Sequence, residues 1–219
     1  MLLHDFNNNF IHCDKDKGSQ LLHIDWSLTG LKVGDVLEAE TMEIVDCNTV
    51  FLHPADKNNK YLDDLVENYG KMFAQLQSEC DKRPPVFQPS IGLQVCAKYR
   101  QEGWFRAVVK SYSESDITVE FIDYGNWCRI TDTLKIKEMP EELANIPVIA
   151  IKLFLNIEVT SKFSFHYLLT ETVKSCENKV GIKITRFGQN GSVHGHLIDI
   201  MSGDCLYGDL ENEGLVKII

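Results

Sequence analysis

The stretch 92–130, GLQVCAKYRQEGWFRAVVKSYSESDITVEFIDYGNWCRI, concentrates the residues with the most distinctive chemistry. It holds Tyr99, Trp104, Phe105, Phe121, Tyr124 and Trp127, with Tyr112 on a connecting turn. A small β unit has room inside for only a few such rings. The surplus must sit at a rim or line a pocket, and an aromatic pocket beside Asn126 suits capture of an organic cation. Ring faces attract positive charge, and a carboxamide accepts a directed hydrogen bond that stacking does not supply. Any single ring here has core as its competing reading, because strands favour aromatics. Alternation puts Ile117, Val119 and Phe121 on one face, so Phe121 carries both readings. Gly125 permits a sharp turn that would aim Asn126 inward. Trp104 is assigned to packing.

Arg106 and Asp123 each interrupt an apolar strand segment, where a lone charge is expensive. Either they pair and tie their strands together, or both are solvated at strand edges. His194 and His196 lie two apart on a predicted strand and precede Asp199, a set that can hold a metal but more often holds none. His12 and Cys13 lack a partner that would make a base. The five arginines, Arg83, Arg100, Arg106, Arg129 and Arg186, do not assemble with neighbouring acids into a phosphodiester-cleaving cluster. No P-loop, nucleophile elbow or dinucleotide fingerprint is present. The expectation is a binding module and not an enzyme, with no metal and no cofactor.

Three short apolar runs must position the central rings: Val95–Tyr99, Trp104–Val109 and Ile117–Ile122, bounded by charged or glycine-bearing turns, the pattern of a compact antiparallel unit. Upstream, residues 1–30 show no sustained period and read as an extended or partly ordered leader. Val36–Val45 and Thr49–His53 read as a hairpin over Asp46-Cys47-Asn48. From Tyr61 to Cys80 apolar residues fall at steps of three and four (Leu62, Leu65, Val66, Tyr69, Met72, Phe73, Leu76), one stripe of a long helix. Arg83-Pro84-Pro85 stops it. Downstream, Leu134–Met139 is followed by a helical turn at Pro140 and strands at Ile149–Leu155, Val180–Phe187 and Ser192–Ile198. Ser161–Cys176 reads as helix. Asn190-Gly191 favours a tight hairpin, and the last residues are ambiguous.

The chain has 219 residues, 44% apolar and 25% charged, ordinary values for a globular protein. No apolar run approaches the roughly 18–20 residues that span a membrane. The stretch MLLHDFNNNF lacks the basic and apolar regions of a secretory signal, so an intracellular protein is expected. Seven scattered cysteines without a C-x-x-C pair read as reduced thiols rather than a disulfide framework. A net charge of −10 points away from nucleic acid as the main partner and toward cationic ones such as arginine-rich peptides.

CAKYRQEGWFRAVV followed by VEFIDYGNW resembles the Tudor domain, and the flanking material resembles the extended Tudor domain. The resemblance implies a mainly β, α+β fold: a small SH3-like Tudor barrel joined by a long helix to a staphylococcal-nuclease-like OB body. It would divide the chain into a leader (1–30), a first part of the body (31–58), a connecting helix (59–82), the barrel (90–140) and a second part of the body (141–219). It also implies a cage for symmetric dimethylarginine, carried over onto Tyr99, Phe105, Phe121, Tyr124 and Asn126. The partner implied is an arginine-methylated Arg-Gly-rich peptide of a Piwi-class Argonaute, in cytoplasmic, perinuclear germ granules (nuage) that process small RNAs. No membrane and no direct nucleic-acid role is expected from it. The alternatives are an unmodified protein partner, or nucleic-acid binding or nuclease-like action by the OB body.

Overall fold

The structure is a computed structural model that describes residues 21–113 and 115–219. His12, Cys13 and most of the expected leader lie outside the described residues. Residues 21–30 dock on the fold: Ile24 is buried in a core, and the Leu22 carbonyl accepts from the Val148 amide at 2.8 Å.

Strand β1 (Val36–Ile44) turns at residues 45–48 into β2 (Thr49–Pro54). Helix α1 (Lys60–Glu79) follows, its first turn capped by the Asn59 side chain, which accepts from the Leu62 amide. Five strands come next: β3 (Gln94–Tyr99), β4 (Gly103–Tyr112), β5 (Ile117–Phe121), β6 (Trp127–Ile130) and β7 (Ile136–Glu138). The rest is α2 (Glu141–Ala144), β8 (Ile151–Leu155), β9 (Ile157–Val159), α3 (Lys162–Ser175), β10 (Lys179–Phe187), β11 (Val193–Ile198), α4 (Gly208–Asn212) and β12 (Val216–Ile218). Among the described residues no helix is long and apolar enough to cross a membrane.

Two β bodies result. Strands from both ends of the chain close a barrel in the order β1-β10-β11-β8-β2, antiparallel except for β11 beside β8. That is a five-stranded Greek-key arrangement of OB type. Between its halves sits an antiparallel sheet in the order β6-β5-β4-β3-β7. The sheet curls on itself, because Ile130 of one outer strand and Ile136 of the other join one core with Val95, Ala107, Val119 and Phe121. Alternation builds that core: buried Ile117, Val119 and Phe121 point one way, while Thr118 and Glu120 are only half-buried. Beyond the sequence expectation, β9 and β12 pair as a small separate sheet.

Helix α1 joins the two bodies with its single apolar stripe. Leu62 and Leu65 pack into the barrel core, and Met72 and Leu76 pack with Cys96, Trp104 and Leu143 of the inserted unit. Gln77 ties the far end down. Its Oε1 accepts from the Trp104 amide at 2.8 Å and its Nε2 donates to the Trp104 carbonyl at 2.6 Å. Trp104 is buried, with its indole N–H donating to Asp81, which is a packing role.

The aromatic pocket and its supports

Tyr99 ends β3, Phe105 lies on β4, Phe121 ends β5, and Tyr124 and Asn126 follow in the turn to β6. The fold brings all five to one pocket of about 210 Å³. Phe105 stands at its centre, edge-to-face with its neighbours: its centroid is 5.7 Å from Phe121 (74° between planes), 5.4 Å from Tyr124 (86°) and 6.4 Å from Tyr99 (86°). Tyr99 meets Phe121 at 5.3 Å and 77°. Such contacts are favourable for rings with negative faces and positive edges, so the walls hold each other without a ligand. Phe121 is 1% exposed and also belongs to the sheet core. Its position at the strand's end resolves the sequence ambiguity: one residue serves as core filler and as pocket floor. Tyr99, Phe105, Tyr124 and Asn126 remain half-buried.

Gly125 makes the final turn possible. Its φ of +84° is a region side chains avoid, and a Cβ there would come within 2.2 Å of the Phe51 ring. The backbone therefore passes close against β2 while Tyr124 and Asn126 face the pocket.

A second layer comes from the other body and from α1. The Tyr69 hydroxyl donates to the Tyr124 hydroxyl at 2.8 Å. Phe73 meets Phe105 at 5.4 Å, and His53 of β2 lies 5.2 Å from Tyr124. The His53 Nε2–H donates to the Asp123 carbonyl, which fixes the tautomer. Burial keeps this imidazole's pKa below the usual histidine value, and raises those of Tyr69 and Tyr124.

Beneath the turn lies the pair Arg106–Asp123, 1% and 2% exposed. Arg106 Nε donates to Asp123 Oδ2 at 2.9 Å and Nη2 to Oδ1 at 2.6 Å. The remaining N–H groups reach the carbonyls of Leu143, Ile146 and Pro147. All five guanidinium donors are therefore engaged. The pair does more than tie two strands, since it also anchors the connection from the inserted unit back to the barrel.

Three pocket residues were not anticipated from sequence: Met42, Glu43 and Glu102. Met42 and Glu43 belong to β1 of the barrel, where the pairing with β2 shifts register between Thr41 and Glu43. A bulge of this kind re-aims side chains. Glu102 sits in the β3–β4 turn. Burial raises the Glu43 pKa, opposed by nearby His166, so this carboxylate is partly stripped of water at the pocket. Two acids beside four rings make a pocket suited to a cation with an apolar surface.

The other candidate residues are dispersed. His194 lies 5.1 Å from Phe154, and His196 bonds the Tyr207 hydroxyl at 2.9 Å. Asp199 caps the amides of Met201 and Ser202. No three metal-ligating side chains converge among the described residues. Cys80, Cys96, Cys128, Cys176 and Cys205 are free thiols. Arg83 reaches Glu79 and Glu142, Arg129 pairs with Asp116, Arg186 donates to His194, and Arg100 covers the Tyr99 ring.

The Tudor domain family model matches residues 31–157, more than half of the sequence, and the chain belongs to that family. Its architecture is that of an extended Tudor domain. Mouse Tudor domain-containing protein 1 is 24% identical over 193 residues, 85% of this chain and 16% of that protein, so the chain spans about a sixth of that relative's length. The structure of extended Tudor domain TD3 from mouse TDRD1, in complex with a MILI peptide containing dimethylarginine, superposes with a TM-score of 0.75. Identity is 20%, with 91% of this chain and 99% of that chain covered. A complex of Tudor with Aubergine modified to me2s at one arginine gives a TM-score of 0.65 at 15% identity, covering 80% of this chain and 99% of that chain.

Proposed function

We propose that this domain reads arginine methylation: the pocket takes a dimethylated guanidinium from an Arg-Gly-rich peptide, held by Tyr99, Phe105, Phe121, Tyr124 and Asn126. The observation that carries the reading is the open space of about 210 Å³ among four mutually braced rings, with an amide and two carboxylates in its lining. Methylation leaves the charge on arginine, removes donors and makes the group cheaper to desolvate. Each well-placed ring then contributes about 0.5–2 kcal/mol of cation–π attraction. Asn126 accepts from a remaining N–H and gives orientation. Glu43 and Glu102 favour a cation over a neutral group of equal size. The chemistry of this pocket is recognition of a cation.

The peptide and protein bound to the structural neighbours, from MILI and Aubergine, are the basis for naming the partner class. The ligand we infer is symmetric dimethylarginine in the N-terminal segment of a Piwi-class protein. The setting is a small-RNA (piRNA) scaffold in cytoplasmic, perinuclear germ granules. Affinity should be about micromolar, near −8 kcal/mol or weaker, because a disordered peptide is ordered on binding.

The test is a calorimetric titration with unmodified, asymmetric and symmetric dimethylarginine versions of one peptide, against wild type, Phe105→Ala and Asn126→Ala. Wild type should prefer the symmetric form by about tenfold or more over the unmodified one, or about 1.4 kcal/mol. Both variants should lose that preference. Discrimination surviving in both would place the methyl group elsewhere. Equal binding of all three peptides to wild type would instead make this a reader of unmodified sequence.

A further inference from the structure

A second and larger concavity, about 850 Å³, lies between the two bodies and is separate from the aromatic pocket. Its wall on the Tudor unit is built from Val108, Lys110, Glu120 and Ile122. These residues alternate with the core-facing set on β4 and β5, so they occupy the sheet face opposite to Phe105 and Phe121. The barrel contributes Phe51, Lys152, Phe154, Arg186 and His194. We propose that this groove is a binding site for single-stranded nucleic acid, independent of the methylarginine pocket.

In a chain of net charge −10, this groove gathers Lys110, Lys152 and Arg186 against one acid, Glu120. Glu120 is already neutralised by Lys110 at 2.7 Å. Lys152 and Arg186 have no carboxylate partner among the described residues. The other titratable groups in the lining, His23 and His194, have pKa values held down, chiefly by burial, and stay neutral near pH 7. The net field is positive where the rest of the chain is acidic, which suits a polyanion.

Aromatic rings accompany these cations. Lys152 Nζ lies 5.0 Å from the Phe154 centroid and 5.7 Å from that of Phe51. Phe154 also meets His194 at 5.1 Å and 32°, and Arg186 donates to that imidazole at 2.8 Å. At the Tudor edge stands Trp127, paired across the sheet with Glu120 and 59% exposed. Lys110 Nζ is 5.3 Å from its ring. The Trp127 indole face is available for stacking. Phe51 is buried and Phe154 half-buried, so both serve as platforms for Lys152, and the ring open to a base is Trp127; cations beside such a ring match the phosphates and bases of a single strand. An acidic peptide would use the cations and leave that ring idle.

The experiment is fluorescence anisotropy of a labelled short oligouridine with the whole domain, across a salt series. Lys110 is paired with Glu120, so the two unpaired cations, Lys152 and Arg186, predict log K falling with log salt at a slope of about −1.4. Lys152→Glu/Arg186→Glu should weaken binding at least about tenfold and bring the slope toward zero. Trp127→Ala, at an exposed position, should cost about fivefold or more through lost stacking. Dimethylarginine peptide should not displace the oligonucleotide, and both variants should bind that peptide as wild type does. No saturable binding at low salt, or affinity unchanged by the double charge reversal, overturns the proposal. A polyglutamate peptide binding as tightly, with Trp127→Ala sparing both ligands, also overturns it and marks an acidic-peptide site. None of these outcomes bears on methylarginine recognition, which the peptide titration tests separately.

Discussion

Replacing Asp123 with alanine isolates the strongest internal electrostatic commitment of the fold. Arg106 is buried to 1% exposure and directs two of its five donors at the Asp123 carboxylate. The variant keeps the three backbone carbonyl contacts and leaves the charge uncompensated. It also strips the Ile149 amide of its acceptor, at 3.3 Å in the wild type. Breaking a buried pair from one side typically costs about 3–5 kcal/mol. For a domain of this size each kcal/mol moves Tm by about 2–4 °C, so Tm should fall by roughly 6–20 °C. Calorimetric or circular-dichroism melting reads this directly. Arg106→Met/Asp123→Leu should cost less than the sum of its single variants, because the second change removes the stranded charge. If Asp123→Ala melted with wild type and lost only peptide binding, the pair would not be structural and Asp123 would be a ligand contact.

Gly125→Ala should destabilise by about 2–5 kcal/mol, from the left-handed backbone cost plus displacement of the Phe51 ring; a melting curve within about 2 °C of wild type would refute the tight-turn argument. Tyr69→Phe removes one hydroxyl bond to Tyr124 and should cost about 1 kcal/mol. Its peptide affinity should drop by no more than about fivefold, since the ring itself stays; complete loss of binding would make Tyr69 part of the pocket and not its brace. His53 has a lowered pKa in the fold, so as pH falls through about 6.5 the unfolded chain takes up a proton that the folded one refuses. Stability should therefore decline on acidification toward about pH 5, and His53→Gln should show a smaller decline, measured as the change in Tm. An identical pH dependence in both proteins would contradict that assignment.

What could be read from sequence divides along the range of the forces involved. The α1 stripe and the strands Gln94–Tyr99, Gly103–Tyr112 and Ile117–Phe121 are local patterns, and periodicity found them to within a few residues. The pocket rings were legible because Phe121, Tyr124 and Asn126 crowd one turn, with Tyr99 and Phe105 on adjoining strands. Phe121 was not separable into core or pocket by alternation, since both readings use the same face of β5. Glu43 was invisible: its place depends on a bulge in β1 and on a barrel closed by strands from the other end of the chain. The large groove between the bodies was equally hidden, for Lys110, Lys152 and Arg186 come from three distant segments. A chain-average charge told nothing of their meeting.

The most direct probe of the central idea, that four rings and one amide enclose a methylated guanidinium, is NMR of the domain with a symmetrically dimethylated peptide. The arginine methyl protons should shift upfield, as they must above ring faces, and show cross-relaxation to protons of Phe105, Tyr124 and Tyr99. Methyl resonances left at their free positions, or contacts confined to residues outside this pocket, would contradict it.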